Sequence, residues 1–336
     1  MTQLLKILVG ADSFDLQVLE ELRRRYVVAK SSVPVMNEEM LCKEIGDADI
    51  FIMGREKITP RVLSSAQKLK IIGYFGVGVD ASYFPQNTLT QVTQRGIPIV
   101  YSPGGNSRSV AELTVGLILD ILKKTTYLNG MVRKGAWTRY RAWELARKTL
   151  GVAGAGNIGQ KVARILHNGF DMRVIYFDVV RRPDLEKEIG AESTDLMTLL
   201  EESDIVTLHM PLLRETRHLI NEQQLKSMKR TAYLINAARA DLVSPAALRR
   251  ALEEKWIAGA AFDGYYIEPA PRVEEDPFHL LSFADDVFVC TPHIAAITLE
   301  ANARCSRMLA DGINQIVDRK QSDLIFNPDY VKDLRT

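Results

Sequence analysis

The segment that most constrains the fold of this chain is TLGVAGAGNIGQKV, which begins at Thr149, nearly halfway along the 336 residues. A short apolar run leads into three glycines in G-x-G-x-x-G spacing, Gly154, Gly156 and Gly159. This order predicts a β-strand, a tight turn and an α-helix that begins at Asn157. Such a unit belongs to parallel α/β sheets, so at least one sheet of that class is expected.

The surrounding sequence favours a dinucleotide site at this turn over a purely structural turn. Gly154 permits the tight turn, Gly156 lets the backbone approach a pyrophosphate, and Gly159 lets the helix pack close to the strand. The helix N-terminus favours the phosphate charge. A methyltransferase with a similar loop is the other alternative, but the glycine spacing is that of a dinucleotide site.

The next predicted strand, RVIYFD, ends in Asp178, about 20 residues beyond the last glycine. A carboxylate there can accept hydrogen bonds from the adenosine ribose hydroxyls and would repel a 2′-phosphate. The cofactor is therefore expected to be NAD, although Arg181 and Arg182 lie beside the acid.

Strand and helix patterns alternate along the whole chain. The predicted strands are KILVG, ADIFIMG, KIIGYFG and IPIV in the first half, and TLGVAG, RVIYFD, IVTLHM, AYLINA, GAAFD and VFVCTP in the second. Helical spacing occurs in LQVLEELRRR, PRVLSSAQKL and PAALRRALEEKW, and in two long segments near residues 109–124 and 299–319. Both halves therefore read as α/β.

Composition narrows the function classes. The chain is 46% hydrophobic and 25% charged, with a formal net charge of +1, which argues against a nucleic-acid or anionic-membrane partner. The longest apolar helix candidate, VAELTVGLILDIL, is interrupted by Glu112 and Asp120, so no membrane span is expected. The three cysteines lack C-x-x-C spacing, and no cluster has metal-ligand spacing. Reduced thiols and a cytoplasmic location are expected.

Polar side chains follow three predicted strands of the second half. Arg239 follows AYLINA, Asp263 and Glu268 follow GAAF, and His293 follows VFVCTP. Singly, they could be a surface arginine, a solvated loop acid and a helix-capping histidine. Because parallel strands bind ligands beyond their carboxyl ends, together they predict a carbonyl-reducing site. His209, which ends IVTLH, is expected to line or support the cofactor cleft.

The whole chain resembles the D-isomer-specific 2-hydroxyacid dehydrogenases, especially phosphoglycerate dehydrogenase and its hydroxypyruvate and glyoxylate reductase relatives. The motifs that carry the resemblance occur in family order: GVGVD (76–80), NSRSVAE (106–112), GAGNIG, LHMPL, INAAR, GAAFDGYYIEP and TPHIAAIT. The resemblance implies two Rossmann-like parallel-sheet domains and a homodimer. A flavodoxin-like substrate domain would comprise residues 1–103 and 299–336, and an inserted NAD-binding domain residues 104–298.

The resemblance also implies roles for individual residues. Arg239 would bind the carboxylate and carbonyl oxygen of a 2-oxo acid, and His293 would protonate that oxygen as NADH delivers hydride. Glu268 would hold the imidazole and favour its charged form. Backbone N–H groups of Val77 and Gly78 would receive the substrate carboxylate. The residues expected to line the cofactor are Gly154, Gly156, Asn157, Ile158, Gly159, Asp178, His209, Ala237, Ala238, Arg239, Asp263 (on the nicotinamide carboxamide) and His293.

Some positions depart from the family pattern. Arg55 and Tyr74 are expected to be substrate-binding residues. Tyr74 stands where phosphoglycerate dehydrogenases often carry an arginine, which leaves Arg55 and Lys57 as candidate phosphate partners. Gly264 and Tyr266 replace a hydrophobic residue and an acid. The reaction expected is interconversion of a D-2-hydroxy acid and its 2-oxo acid. The alternatives are 3-phosphoglycerate dehydrogenase proper, an NAD(H)-sensing corepressor-like binding protein, and a formate dehydrogenase, which would carry glutamine in place of the glutamate.

Overall fold

A computed structural model describes residues 4–79, 83–319 and 321–328. The chain divides into two compact units. One contains the described residues up to Asn106 and those from Ile297 onward, and the other is Ser107–Ala296. These divisions fall within three residues of the boundaries that the family resemblance implies. Asp80, the last residue of GVGVD, and the terminal residues 329–336 lie outside the described residues.

The first unit contains a five-stranded parallel sheet. Its strands are β1 (Lys6–Val9), β2 (Val27–Lys30), β3 (Ile50–Met53), β4 (Ile71–Tyr74) and β5 (Ile99–Val100). Their order is β2-β1-β3-β4-β5. This is the flavodoxin-like doubly wound order, so the expected fold class is confirmed for this unit.

The second unit contains a seven-stranded parallel sheet. Its strands are β6 (Thr149–Ala153), β7 (Arg173–Phe177), β8 (Glu192–Ser193), β9 (Ile205–Leu208), β10 (Tyr233–Asn236), β11 (Gly259–Asp263) and β12 (Phe288–Thr291). The order is β12-β11-β10-β9-β6-β7-β8, the Rossmann order with one added edge strand. The chain reverses its direction of winding between β6 and β9, which is where such sheets bind dinucleotides.

Helices cover both faces of each sheet. Those of the first unit are α1 (Leu16–Arg23), α2 (Glu38–Ile45), α3 (Pro60–Ser65) and α4 (Thr88–Gln94). Those of the second are α5 (Ser107–Lys123), α6 (Thr125–Arg133), α7 (Gly159–Phe170), α8 (Pro183–Ile189), α9 (Leu196–Glu202), α10 (Glu222–Ser227) and α11 (Pro245–Glu253). The last, α12 (Leu299–Arg319), belongs to the first unit.

Local sequence explains where many helices begin. Asp15, Asn37, Thr59, Asp195 and Ser244 each accept a backbone N–H of the following first turn, as N-cap residues do. In the sheets, β3, β4, β9, β10 and β11 are buried along their whole lengths, as parallel strands between helical layers must be. The side chains of successive strand residues pack into separate apolar clusters on the two faces of each sheet.

The structure corrects the start of one predicted helix, confirms the long helix near 109–124 as α5 and adds two strands. Helix α7 begins at Gly159 rather than Asn157, because Asn157 and Ile158 still lie in the turn that leaves β6. The long helix predicted near 109–124 is followed at once by α6. The break occurs at Lys124, which has a left-handed φ of 56°, and Asp120 accepts both the N–H and the hydroxyl of Thr126 at 2.8 Å.

Two strands, β2 and β8, were not singled out in the sequence analysis. Both are edge strands, four and two residues long, and each exposes side chains to solvent. β8 (ES) has no apolar residue to indicate a strand, whereas β2 (VVAK) is a short apolar run.

In the described parts of the chain, no helix has the length and apolar character needed to cross a membrane. Cys42, Cys290 and Cys305 are free thiols, of which Cys305 is buried and the other two are half-buried.

Candidate active site

The glycine turn after β6 has the shape that its sequence predicts. Gly154 has a φ of +97°, and a side chain there would come within 2.7 Å of the His209 carbonyl carbon, so both the turn and the close approach require glycine. A side chain on Gly159 would overlap the carbonyl oxygen of Gly154. The first turn of α7 therefore packs so closely on the end of the strand that only glycine fits. At Gly156, by contrast, the space that a side chain would fill is open. That open backbone fits a pyrophosphate.

His209 follows β9, the neighbour of β6 at the switch point of the sheet. Its Nε2 lies 2.9 Å from the Thr207 hydroxyl, whereas its Nδ1 is buried with no partner among the described residues. Burial lowers the pKa of His209 to about 3, so the ring is neutral at physiological pH. A neutral ring with a buried, unpaired nitrogen suits a supporting role beside a ligand better than proton transfer.

Asp178 follows β7 and lies at the start of a loop whose residues form hydrogen bonds and an ion pair with one another. One carboxylate oxygen accepts the Val180 N–H at 2.9 Å and the other lies 3.4 Å from Nη2 of Arg182. Arg181 points to a different carboxylate, Glu186, with its Nε 2.9 Å from Oε1. The acid therefore lies just beyond the end of β7, and each neighbouring arginine faces a carboxylate.

Arg239 lies in the segment after β10, where hydrogen bonds from a strand residue hold the backbone. Asn236, which is 1% exposed, accepts the Ala238 N–H at 3.0 Å and donates to the Arg239 carbonyl oxygen at 2.8 Å. Nη1 of Arg239 also donates to the Ala238 carbonyl oxygen at 3.0 Å. Asn236 was not selected from the sequence as a site residue, although it precedes the arginine within the INAAR motif. Its buried position in the strand is what reveals its role.

The structure brings Glu268 and His293 into direct contact. Nδ1 of the imidazole lies 3.0 Å from each carboxylate oxygen of Glu268. Both side chains are partly exposed, His293 by 35% and Glu268 by 47%, so a substrate can reach them. With Nδ1 engaged, Nε2 is the ring nitrogen left to face a ligand.

The electrostatics of the pair favour an ionised carboxylate. Burial opposes ionisation of Glu268, but the hydrogen bond and charge of His293 outweigh it, with smaller contributions from the Tyr265 N–H and Arg239. The pKa of Glu268 is therefore held below its usual value. Gly264 makes room for this contact, because a side chain there would lie 2.6 Å from Oε1 of Glu268 and its φ is +99°. The glycine that departs from the family pattern is thus required by the local geometry.

Asp263 shapes the turn that carries His293. It is 4% exposed, and its carboxylate accepts the Thr291 hydroxyl at 2.6 Å, the Ile294 N–H at 2.9 Å and the Ala295 N–H at 2.8 Å. These bonds enclose His293, whose φ of 55° is uncommon for a residue with a side chain. Three charge-assisted bonds to one short turn hold the histidine in an orientation it would not adopt by itself.

In the first unit, the candidate substrate residues follow β3 and β4. Val77 and Gly78 are half-buried in the segment after β4. Tyr74 is 4% exposed and its ring lies 5.1 Å from that of Tyr83, so it is part of the core. Arg55 is exposed, with Nη2 3.7 Å from a carboxylate oxygen of Asp12.

Within the second unit, every candidate residue lies at the carboxyl edge of one sheet. Each site residue lies at or just beyond the end of one strand. In the order β6, β7, β9, β10, β11 and β12, these are the glycine turn, Asp178, His209, Arg239, the Asp263–Glu268 segment and His293. The open backbone at Gly156 and the unpaired nitrogen of His209 fit a nicotinamide dinucleotide at that edge. Over the described residues, no three His, Cys, Asp or Glu side chains form a group that could hold a metal ion.

Comparison with known proteins agrees with this geometry. A family model described as "D-isomer specific 2-hydroxyacid dehydrogenase, NAD binding domain" matches residues 115–295. A glyoxylate reductase from Thermofilum pendens is 39% identical over 327 residues, 94% of this chain and 92% of that protein. A glyoxylate reductase from Aeropyrum pernix is 37% identical over 304 residues, which cover 88% and 87%.

A solved structure shows the same fold over nearly its full length. D-lactate dehydrogenase from Aquifex aeolicus, complexed with NAD and lactic acid, aligns with a TM-score of 0.79 and 29% identity over 98% of both chains. The family expectation drawn from the ordered motifs is confirmed. This chain belongs to the D-isomer-specific 2-hydroxyacid dehydrogenase family and is an NAD(P)-dependent oxidoreductase that interconverts 2-hydroxy acids and 2-oxo acids.

Proposed function

We propose that this enzyme reduces glyoxylate, or a 2-oxo acid of similar size, with His293 as proton donor and Arg239 as substrate anchor. The observation that carries the proposal is the contact of His293 with both oxygens of Glu268 at 3.0 Å, at the same sheet edge as the glycine turn. Support for the substrate comes from the relatives from Thermofilum pendens and Aeropyrum pernix, both named glyoxylate reductase.

His293 has the geometry of a general acid. A bound nicotinamide cofactor supplies the hydride that reduces the carbonyl carbon. As negative charge develops on the carbonyl oxygen, Nε2 of His293 transfers its proton to that oxygen, which completes the hydroxyl group. Glu268 stays ionised, because its pKa is held below its usual value, and so compensates the charge of the protonated ring beforehand.

Arg239 supplies the fixed positive charge. Its planar guanidinium can hold the substrate carboxylate and the carbonyl oxygen with parallel donors, and the Asn236 bonds keep its backbone in place. Asp263 would receive the nicotinamide carboxamide while it holds the turn of His293. In the first unit, the N–H groups of Val77 and Gly78 would receive the substrate carboxylate.

The test is NADH oxidation followed at fixed enzyme concentration with glyoxylate, hydroxypyruvate, pyruvate and formaldehyde. We expect the highest kcat/KM with glyoxylate and no turnover of formaldehyde, which lacks the carboxylate that Arg239 binds. Oxidation of 3-phosphoglycerate is expected to be poor, because Tyr74 is buried in the core rather than presented to a phosphate. The absence of turnover with all three 2-oxo acids would refute the proposal.

Arg239→Lys tests the anchor. The lysine keeps the charge but loses the planar pair of donors, so both KM for glyoxylate and kcat should worsen. Arg249→Lys is the matched control, since Arg249 lies on α11 and pairs with Glu253 at 2.8 Å on the surface. Unchanged kinetics in the Arg239 variant would remove this residue from the account.

We also propose that the enzyme is a homodimer whose second copy covers α6 and the segment after it. None of the residues of α6 is buried, and Trp137 and Trp143 are 82% and 52% exposed. A surface with aromatic side chains this exposed is typical of an interface. Sedimentation equilibrium should give twice the chain mass, and Trp137→Glu should shift it toward the single chain. A monomeric wild-type protein would contradict the proposal.

A further inference from the structure

Two neighbouring tyrosines after β11, Tyr265 and Tyr266, take no part in the chemistry proposed above. The ring of Tyr265 is buried, and its hydroxyl donates to Oδ2 of Asp276 at 2.7 Å. Asp276 is 2% exposed and also accepts the N–H groups of Phe278 at 3.1 Å and Leu281 at 3.0 Å. The far end of the Tyr265 side chain is therefore fixed by a buried acid that is itself held in place.

Both partners of this contact have the protonation state that the hydrogen bond requires. Burial raises the pKa of Tyr265, and so does the Asp276 carboxylate, so the hydroxyl keeps its proton. Burial opposes ionisation of Asp276, but the Leu281 N–H and the Tyr265 hydroxyl outweigh it and hold the pKa of Asp276 below its usual value. A hydrogen bond to an ionised carboxylate is stronger than one between neutral groups.

The backbone of Tyr265 connects this anchor to the candidate proton donor. The Tyr265 N–H donates to Oε1 of Glu268 at 3.2 Å, and the same oxygen lies 3.0 Å from Nδ1 of His293. This N–H contributes to the lowered pKa of Glu268. A displacement of Tyr265 would therefore weaken a hydrogen bond to the carboxylate that orients the imidazole.

Tyr266 makes the corresponding connection to the segment of Arg239. Its hydroxyl donates to the Val243 carbonyl oxygen at 3.0 Å. The Arg239 carbonyl oxygen accepts the Leu242 N–H at 3.1 Å, so Val243 ends a compact turn that begins at the arginine. The rings of Tyr265 and Tyr266 contact each other edge to face, with their centroids 5.5 Å apart. One pair of adjacent side chains thus connects the loops that follow β10 and β11.

We propose that Tyr265 and Tyr266 are positioning residues that fix the Glu268 carboxylate and the Arg239 segment relative to each other, with Asp276 as the anchor of the first. Tyr266 replaces an acid of the family pattern, so the family resemblance does not supply this connection. The inference rests on the proposed function, because it names what holds the groups to which that function assigns the chemistry.

Tyr265→Phe removes the hydroxyl and keeps the ring. We expect kcat for glyoxylate reduction to fall by about ten- to a hundredfold, the scale of a slightly misplaced catalytic group, with KM for NADH unchanged. A weaker bond from the residue 265 N–H raises the pKa of Glu268, so the acid limb of the kcat profile should move toward higher pH. A merely structural role would lower the melting temperature without moving that limb.

Tyr26→Phe is the matched control. Tyr26 is also buried, and its hydroxyl donates to Oδ1 of Asn314 at 2.7 Å in the first unit. This variant should lose stability and keep both kcat and the acid limb of the wild type.

Asp276→Asn weakens the same hydrogen bond from its other end, and it should move the acid limb in the same direction. It carries the test if the Tyr265 variant does not fold. Because the two residues act through one bond, the double variant should lose little more kcat than Tyr265→Phe alone. Tyr266→Phe should instead raise KM for glyoxylate more than it lowers kcat, since the turn after Arg239 is no longer held at Val243.

Calorimetry with ADP-ribose reports that each variant is folded. If the wild-type enzyme reduces glyoxylate, then an unmoved acid limb, additive losses of kcat or an unchanged KM in the Tyr266 variant would overturn the inference and leave the proposed function standing. A wild-type enzyme that reduces none of the 2-oxo acids would refute the proposed function and the inference together.

Discussion

At the scale of single residues, the paired side chains of His293 and Glu268 carry the proposed chemistry. Their contact depends on two backbone conformations with positive φ, 55° at His293 and +99° at Gly264. Such conformations are rare for most residues and cluster at functional sites. Substitutions here must therefore be chosen so that they remove a chemical group without straining the turn.

His293→Asn is the variant that meets this requirement, because asparagine tolerates the left-handed region. It should lower kcat for glyoxylate reduction by roughly 10²–10⁴-fold, the usual contribution of a positioned general acid, with NADH affinity nearly unchanged. His279→Asn is the matched control, since His279 also has a φ of 55° and is exposed. Wild-type turnover by the His293 variant would exclude it as proton donor, and weakened NADH binding would point to a structural role.

Glu268→Gln should change the pH dependence of reduction. The carboxylate is ionised at working pH because its pKa is held below its usual value, and its negative charge compensates the charge of the ring as proton donor. In the wild type this contribution is present above the lowered pKa of Glu268 and is lost as the pH falls through it. The glutamine variant has no carboxylate to protonate, so kcat for glyoxylate reduction should be lower at neutral pH and the acid limb due to Glu268 should be absent. Glu274→Gln, an exposed acid in the same connection, should leave the profile in place. A Glu268 variant that keeps the wild-type rate and profile would contradict this account.

At the scale of elements, the important device is the turn that follows β12. Asp263 at the end of β11 holds it with three hydrogen bonds, so two neighbouring strands jointly define where the histidine points. The same logic applies to Asn236 at the end of β10, which holds the loop of Arg239. Each of these two candidate catalytic side chains is thus supported by a buried polar residue at a strand terminus.

Asp263→Asn tests the support of the turn. An amide retains one acceptor but turns an NH₂ group toward a donor, so the free energy of unfolding should fall by about 1–3 kcal/mol. kcat should also fall at temperatures where the variant remains folded, because His293 is no longer held in place. The loss of stability alone would not cause that fall. Asp195→Asn, an N-cap exchange on α9, is the control and should be close to neutral. Thermal denaturation and steady-state kinetics measure both effects, and full activity in the Asp263 variant would refute the positioning role.

At the scale of the whole molecule, the two units differ in how the chain builds them. The unit Ser107–Ala296 is continuous and contains the complete seven-stranded sheet with apolar clusters on both faces. The other unit is assembled from two distant stretches, and its helix α12 packs on β4 and β5. A continuous unit with its own core should fold independently.

A fragment of residues 107–296 should therefore fold cooperatively and bind ADP-ribose with an affinity close to that of the full chain. Circular dichroism melting and calorimetry with ADP-ribose measure this. A fragment without a cooperative transition, or one that does not bind ADP-ribose, would contradict this prediction.

Most of this protein's organisation is local and can be derived from its sequence. Buried parallel strands are short apolar runs, and glycine spacing together with an acid at the end of the next strand predicts a dinucleotide turn from steric and charge requirements alone. For this reason Gly154, Asp178, Arg239, Glu268 and His293 could be selected, and ordered motifs identified the family. The exposed edge strand β8 has no apolar residue and was missed for that reason.

Only the tertiary structure decided how those residues act on one another. Hydrogen bonds between strand termini depend on sheet order and register, which bring together positions 25 or more residues apart, such as Glu268 with His293 and Asp263 with Ala295. The same packing buries Tyr74 in the core. It also pairs Arg181 with Glu186 but Arg182 with Asp178. Sequence specifies which chemical groups follow each strand, because that is local, whereas partner, burial and charge environment arise only when the strands are side by side.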